Sequence, residues 1–321
     1  MDQLNIFELT KPKYKITKPI RLIELFAGIG SQAIALRNLG ANFEHYKIVE
    51  FDKYAIESYN AIHNTDFETL DITKVKASDL EIVDTDNYEY IMTYSFPCQD
   101  LSLAGKQKGM KKGTGTRSSL LWDVERLLNE CNDSPYLELP QILLMENVTQ
   151  VTGVKNIKDF HNLQYFLESL GYSNYVKCLN AKDYGIPQNR NRCFMISILG
   201  DYYYEFPKPI PLKLRLKDLL EEEVDESYYI SSEKIKYMKE TSFHQSSFDV
   251  VVQQGDICNT LCARDYKDPK CVQVAQLEGK FESVNRVYSS SGLSPTLTTS
   301  QGGNREVKIL EELQNGGGDY P

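Results

Sequence analysis

The sequence predicts an α/β protein: a Rossmann-like, doubly wound and largely parallel sheet, followed by a smaller, irregular β-rich C-terminal region. Two observations predict the sheet. Short apolar runs alternate with helix-periodic segments from residue 20 to about 205, and a glycine turn directly follows the first run. A third observation locates its working edge. Phe26, Glu50, Cys98 and Glu146 fall where predicted strands end, and such sheets gather ligands beyond the carboxyl ends of their strands.

The elements follow in order. Ile20 to Phe26 reads as a buried strand, Gly28-Ile29-Gly30 as a tight turn, and Ser31 to Leu39 as a helix stopped by Gly40. Tyr46 to Val49 is a short strand ending at Glu50, and Lys53 to His63 is a second helix. Tyr90 to Tyr94 is a strand ended by Pro97. Ser118 to Asn129 is an amphipathic helix, Gln141 to Met145 a strand, and Asp159 to Leu170 a helix closed by Gly171. Tyr175 to Leu179 and Cys193 to Leu199 are late strands around a Gly185-Ile186-Pro187 turn. The pattern changes near Pro207-Lys208-Pro209-Ile210-Pro211, after which come an acidic run from Glu221 to Glu226 and Gly/Ser/Thr-rich sequence. Three parts are therefore expected: an N-terminal extension over 1–19, one domain over 20–205 and a second region over 206–321.

Composition narrows the class. With 41% hydrophobic and 25% charged residues, the 321-residue chain is of ordinary globular make-up. No apolar run approaches the roughly 20 residues of a membrane span, and the N-terminus has no basic-then-apolar leader, so a cytoplasmic protein is expected. Seven cysteines without paired spacing point to reduced thiols. Cys258, Cys262 and Cys271 lack the spacing and the His partners of a zinc site, so no metal is expected. A net charge of −9 argues against a uniformly basic nucleic-acid binder. Lys106, Lys108, Lys111, Lys112 and Arg117 nevertheless cluster without an intervening acid, soon after Cys98. They are candidates for phosphate contact, with Lys11, Lys13, Lys15 and Lys18 a second basic stretch.

The turn Gly28-x-Gly30-x-x-Ala33, with Glu50 some twenty residues later, fits the dinucleotide fingerprint. Glycine lets the backbone approach a ligand, and the acid accepts ribose hydroxyls. By itself this pattern suits NAD as well as S-adenosylmethionine.

Further along come Pro97-Cys98-Gln99 within Phe96 to Ser102, Glu146-Asn147-Val148, and Gln188-Asn189-Arg190-Asn191-Arg192 after Asp183-Tyr184-Gly185-Ile186-Pro187. They supply a thiol, a carboxylate and two guanidiniums at successive strand ends. In this order, over about residues 20 to 200, they resemble the cytosine-C5 DNA methyltransferase family. The resemblance implies an S-adenosylmethionine-dependent methyltransferase fold acting on double-stranded DNA. It implies Cys98, Glu146, Arg190 and Arg192 as the catalytic group. Phe26 would pack on adenine, Gly28 and Gly30 would form the turn, Glu50 would hold the ribose, and Asp71 with Ile72 the adenine edge, with Pro97 bordering the cofactor. Gln99, Ser102 and the basic cluster would meet DNA, Ser102 to Thr116 closing over a flipped-out nucleotide. Ser31 and Ser95 stand where the family usually has glycine.

The chemistry agrees with these residue types. Carbon-5 of cytosine is a poor nucleophile until a thiolate adds at C6, and covalent catalysis divides one hard step into easier ones. A cysteine does this only as thiolate, in positive or dipolar surroundings. A carboxyl group at the N3/N4 edge stabilises the charge that builds up, a kind of contact whose loss costs about 3 kcal/mol. Asn147 is expected to fix the loop backbone.

Two family features are not found: an Arg-x-Leu-Thr-Pro-like motif and a later Gly-Asn helix. Arg286-Val287-Tyr288, Ser294-Pro295-Thr296-Leu297 and Gly302-Gly303-Asn304 are only faintly similar. A truncated product or a second polypeptide carrying those motifs is expected, with weak cofactor affinity for the chain alone. Three other readings stand beside an active DNA enzyme: a DNA-binding subunit awaiting such a partner, a tRNA methyltransferase of the same fold, and a dehydrogenase. The tRNA reading conflicts with the Pro-Cys-Gln motif and the long C-terminal region. The dehydrogenase leaves Cys98, Glu146 and the arginines unexplained.

Overall fold

The computed structural model describes residues 11–101, 109–215 and 218, and the backbone of Cys258–Asn259. Ser102, Lys106, Lys108, the remaining C-terminal cysteines and the sought C-terminal motifs lie outside the described residues.

A six-stranded sheet organises the chain up to Leu199. Its strands are β1 (Ile20–Leu25), β2 (Phe43–Val49), β3 (Glu89–Tyr94), β4 (Ile142–Asn147), β5 (Tyr172–Asn180) and β7 (Asn191–Leu199), in the order β2-β1-β3-β4-β7-β5. The β2-β1-β3-β4 part is parallel, and β7 runs antiparallel to β4. The short β6 (Gln188–Asn189) pairs with β8 (Cys258–Asn259). The helices are α1 (Ser31–Asn38), α2 (Lys53–His63), α3 (Ala77–Leu80), α4 (Leu121–Asp133) and α5 (Ile157–Ser169). No helix among the described residues is long and apolar enough to cross a membrane.

Alternation along β1 explains why helices cover both faces. Ile20 and Leu22 pack with Ala33 of α1, whereas Ile23 and Leu25 join Leu121, Val124, Leu127 and Leu128 of α4 and Phe160, Leu163 and Leu167 of α5. Successive strand side chains point to opposite faces, so a strand covered on both sides is largely apolar; in β1 only Arg21 and Glu24 depart from this. The α2 helix starts at its Asp52 cap, whose carboxylate accepts the N–H groups of Tyr54 and Ala55, and seats Ile56 and Tyr59 against Ile48 and Ala27.

Element boundaries depart from the sequence reading where pairing decides them. The β2 strand begins at Phe43 rather than Tyr46, because Phe43, Glu44 and His45 pair with Ile20, Arg21 and Leu22. The helix expected from Ser118 opens as a 3-10 turn, Arg117–Leu120, before α4. The four-residue α3 has too little sequence for a periodic signal.

Two compact units separate, one built from the chain through Leu179 and again from Asn191–Pro207, the other from Asn180–Arg190 and the chain from Lys208 onward. In the first unit the N-terminal segment is tied down: Lys13 bridges to Tyr203, and the Tyr14 hydroxyl donates to Glu89. In the second, the Asp183 carbonyl accepts the N–H of Ile210, whose side chain sits against Gly185.

Candidate active site

At the end of β1 the backbone turns sharply. Phe26 (φ 60°), Gly28 (φ 58°) and Gly30 (φ 77°) all adopt left-handed conformations. For Phe26 this costs about 1–3 kcal/mol, a strain often kept at ligand sites. Its N–H donates to the Val49 carbonyl at 2.8 Å, which holds the turn to β2. A Cβ at position 30 would lie 2.4 Å from His63 Nε2 and 2.5 Å from the Tyr59 ring, so only glycine fits. A Cβ at position 28 would meet nothing within 4 Å, which leaves that side of the turn open to a ligand.

Glu50, just past β2, accepts the Gly28 N–H at 2.9 Å through Oε2 and the Asp52 N–H at 2.8 Å through Oε1. Each oxygen keeps a second lone pair for a hydroxyl. Beside it Phe51 is 75% exposed, which sequence reasoning missed; an aromatic residue directly after a strand-end acid was the available signal. Asp71 accepts the N–H and hydroxyl of Thr73, and these bonds hold its carboxyl below the usual value. Ile72 is buried in the core. An open turn, a strand-end acid and a bare aromatic face suit an adenosine-bearing cofactor.

The loop after β3 is tethered on all sides. Asn147 Nδ2 donates to the Phe96 carbonyl at 2.8 Å, which ties the β4 end to the loop, as expected for Asn147. Ser118 Oγ donates to the Pro97 carbonyl at 2.6 Å, Arg117 Nη1 to Gln99 Oε1 at 2.6 Å, and Arg117 N–H to Asp100 Oδ2 at 2.9 Å. Cys98 sits in this loop, half-buried and outside any disulfide. Burial pushes the Cys131 and Cys193 thiols up to about 12, so both stay protonated and inert at neutral pH.

Glu146 lies near the end of β4, opposite Phe194 of β7. Antiparallel pairing brings Arg192 alongside, with Nε 3.0 Å from Glu146 Oε1 and side chains only 16% and 20% exposed. Arg190, expected beside Arg192, belongs to the other compact unit, where its N–H donates to Asn180 Oδ1 at 3.0 Å. Of the described basic residues, Lys112 pairs with Glu125 at 2.6 Å and lies 5.5 Å from the Trp122 ring, while Lys111 is exposed.

Residues 20–315 match the family described as C-5 cytosine-specific DNA methylase. The chain belongs to that family. It is 35% identical over 264 residues to the type II methyltransferase M2.ScrFI of Lactococcus lactis subsp. cremoris, covering 67% of this chain and 71% of that one. It is 33% identical to the orphan methyltransferase M.SssI of Spiroplasma monobiae, over 92% of this chain and 83% of that one. The S. pombe Dnmt2 methyltransferase structure shares the fold, with a TM-score of 0.57 at 23% identity over 77% of this chain and 72% of that one. This DNA methylase is therefore a DNA cytosine-5-methyltransferase on a Rossmann-like α/β sheet, and its family implies S-adenosylmethionine. The match continues through the C-terminal region, and these relatives lend no support to a second polypeptide.

Proposed function

We propose that this methylase works through a covalent bond between Cys98 and C6 of a cytosine flipped out of double-stranded DNA. The observation that carries the reading is the Asn147-to-Phe96 bond, which joins the strand end bearing Glu146 to the loop bearing Cys98. Attack by the Cys98 thiolate forms the C6–S bond and moves a ring electron pair toward C5. Glu146 holds the N3/N4 edge and favours a proton at N3, while Arg192 keeps the carboxylate oriented. When bound, S-adenosylmethionine supplies an electrophilic methyl group on sulfonium sulfur. C5 afterwards loses its hydrogen as a proton, and the C6–S pair returns to sulfur.

Phe26, Gly28, Gly30, Glu50, Asp71, Ile72 and Pro97 would line the cofactor, with Phe51 as an added aromatic face. Gln99, Ser102, Lys106, Lys108, Lys111, Lys112 and Arg117 would meet the DNA. Flipping the base costs a few kcal/mol, which these contacts offset. The setting is a cytoplasmic restriction–modification or orphan enzyme, by analogy with the relatives' names.

Transfer of labelled methyl from S-adenosylmethionine to duplex DNA tests the chemistry. Cys98→Ala is expected to fall below about a thousandth of the parent rate while still binding both substrates. Turnover at the parent rate would overturn the covalent route. Bisulfite sequencing of DNA from expressing cells gives the modified context.

A further inference from the structure

We propose that Ser118 and Asp100 are positioning residues for Cys98, an inference that rests on the nucleophilic role proposed above. The carbonyl that Ser118 holds belongs to the peptide bond joining Pro97 to Cys98. A trans peptide is rigid and sets its N–H opposite its C=O, so a bond to that carbonyl orients the whole plane leading into the cysteine. On the far side, Asp100 Oδ2 accepts the N–H of Arg117 at 2.9 Å and, more distantly, that of Ser118 at 3.4 Å. The Asp100 carbonyl also accepts the Gly109 N–H at 3.0 Å, and the Cys98 carbonyl accepts the Leu101 N–H at 2.9 Å.

The Pro97 carbonyl on one side of the thiol and the Asp100 side chain on the other are thus bound to the start of the helical segment that continues into α4. That segment is a firm base, since Leu121, Val124, Leu127 and Leu128 are buried in the main core. Ser118 itself is fully buried and Asp100 nearly so. A hydroxyl in such a place needs a partner, and the one it has is the carbonyl beside the reacting residue. Asp100 adds a charged acceptor at the first N–H groups of a helical turn, where negative charge is favoured. The clasp holds the sulfur at one distance from the strand end that carries Glu146, and a misplacement near 1 Å at a reacting atom costs roughly a hundredfold in rate.

The experiment compares Ser118→Ala, Ser118→Thr, Asp100→Asn and Cys98→Ala in methyl transfer to duplex DNA, with Tm and the pH dependence of Cys98 alkylation by iodoacetamide measured alongside. Ser118→Ala is expected to lower kcat roughly tenfold or more, to leave KM for DNA and S-adenosylmethionine within about twofold, and to shift the alkylation profile. Ser118→Thr, which keeps the hydroxyl, restores much of kcat. Unchanged kcat and alkylation in Ser118→Ala, or equal losses in the Thr and Ala variants, would overturn the proposal. If Ser118→Ala does not fold, Asp100→Asn decides: a lower kcat at constant KM supports the clasp, and parent kinetics refute it. Parent turnover by Cys98→Ala would instead sink the nucleophile reading, a result distinguishable from failure of the clasp.

Discussion

Glu24 is the residue most at odds with its surroundings. It lies fully buried in β1, between β2 and β3, accepts the Tyr59 hydroxyl at 2.7 Å, and leaves Oε1 with no hydrogen-bond partner among the described residues. Burial pushes its carboxyl up to about 7, above an ordinary value of 4.5, against the lowering effect of bonds from Tyr59 and Ala33. Its contribution to stability follows by linkage. The folded state retains a proton that the unfolded chain releases, so stability is full below about 4.5 and is lost as pH rises through about 7. The loss amounts to about 3 kcal/mol. Glu24→Gln is expected to flatten this slope and to raise Tm at pH 8 relative to the parent. A parallel fall of Tm with pH in both proteins would refute the assignment. Nothing in the sequence separates this acid from others, because its environment is made by Tyr59, thirty-five positions away. Cys98 and Glu146 were legible because each sits in a short motif at a strand end. Phe51 had only its place after Glu50 to announce it, and Ser118, twenty residues beyond Cys98, had no motif tying it to the thiol.

Helix α4 shows what an element can do that its side chains alone do not announce. Arg126 donates to the Val75 carbonyl and the Ile72 carbonyl, each at 2.8 Å, and pairs with Glu130 and Asp123. Glu130 in turn accepts the Ala77 N–H at 2.8 Å. The helix thus fastens the segment that carries Asp71 and Ile72, both proposed to line the cofactor. Arg126→Met keeps an apolar stem but removes these donors, so a loss of about 2 kcal/mol is expected in urea unfolding. KM for S-adenosylmethionine should rise more than kcat falls; the opposite split would mean that the fastening serves stability alone. Periodicity was enough to find α2 from end to end, since Asp52 caps it and its apolar residues recur regularly. It could not place the start of β2, where pairing with β1 extends the strand. Nor could it show that Arg192 would meet Glu146, which requires β7 to return antiparallel beside β4.

The whole molecule carries a net charge of −9, yet its substrate is a polyanion. Binding therefore depends on local positive charge outweighing the field of the rest, and each phosphate neutralised releases counterions. The basic residues following Cys98 are the proposed source, but they are not equivalent. Lys112 is paired with Glu125, whose side chain is only 15% exposed, so a phosphate must compete with that partner. Lys111 is exposed. Lys111→Ala is expected to weaken duplex binding equally across sequences and to reduce the slope of log K against log salt by about 1. Lys112→Ala should change the slope less, because most of that charge is already neutralised. Fluorescence anisotropy of a labelled duplex over a salt series separates the cases. Equal slope changes would mean that the Lys112–Glu125 pair opens on DNA, and an unchanged slope in both variants would place the phosphate contacts on other residues.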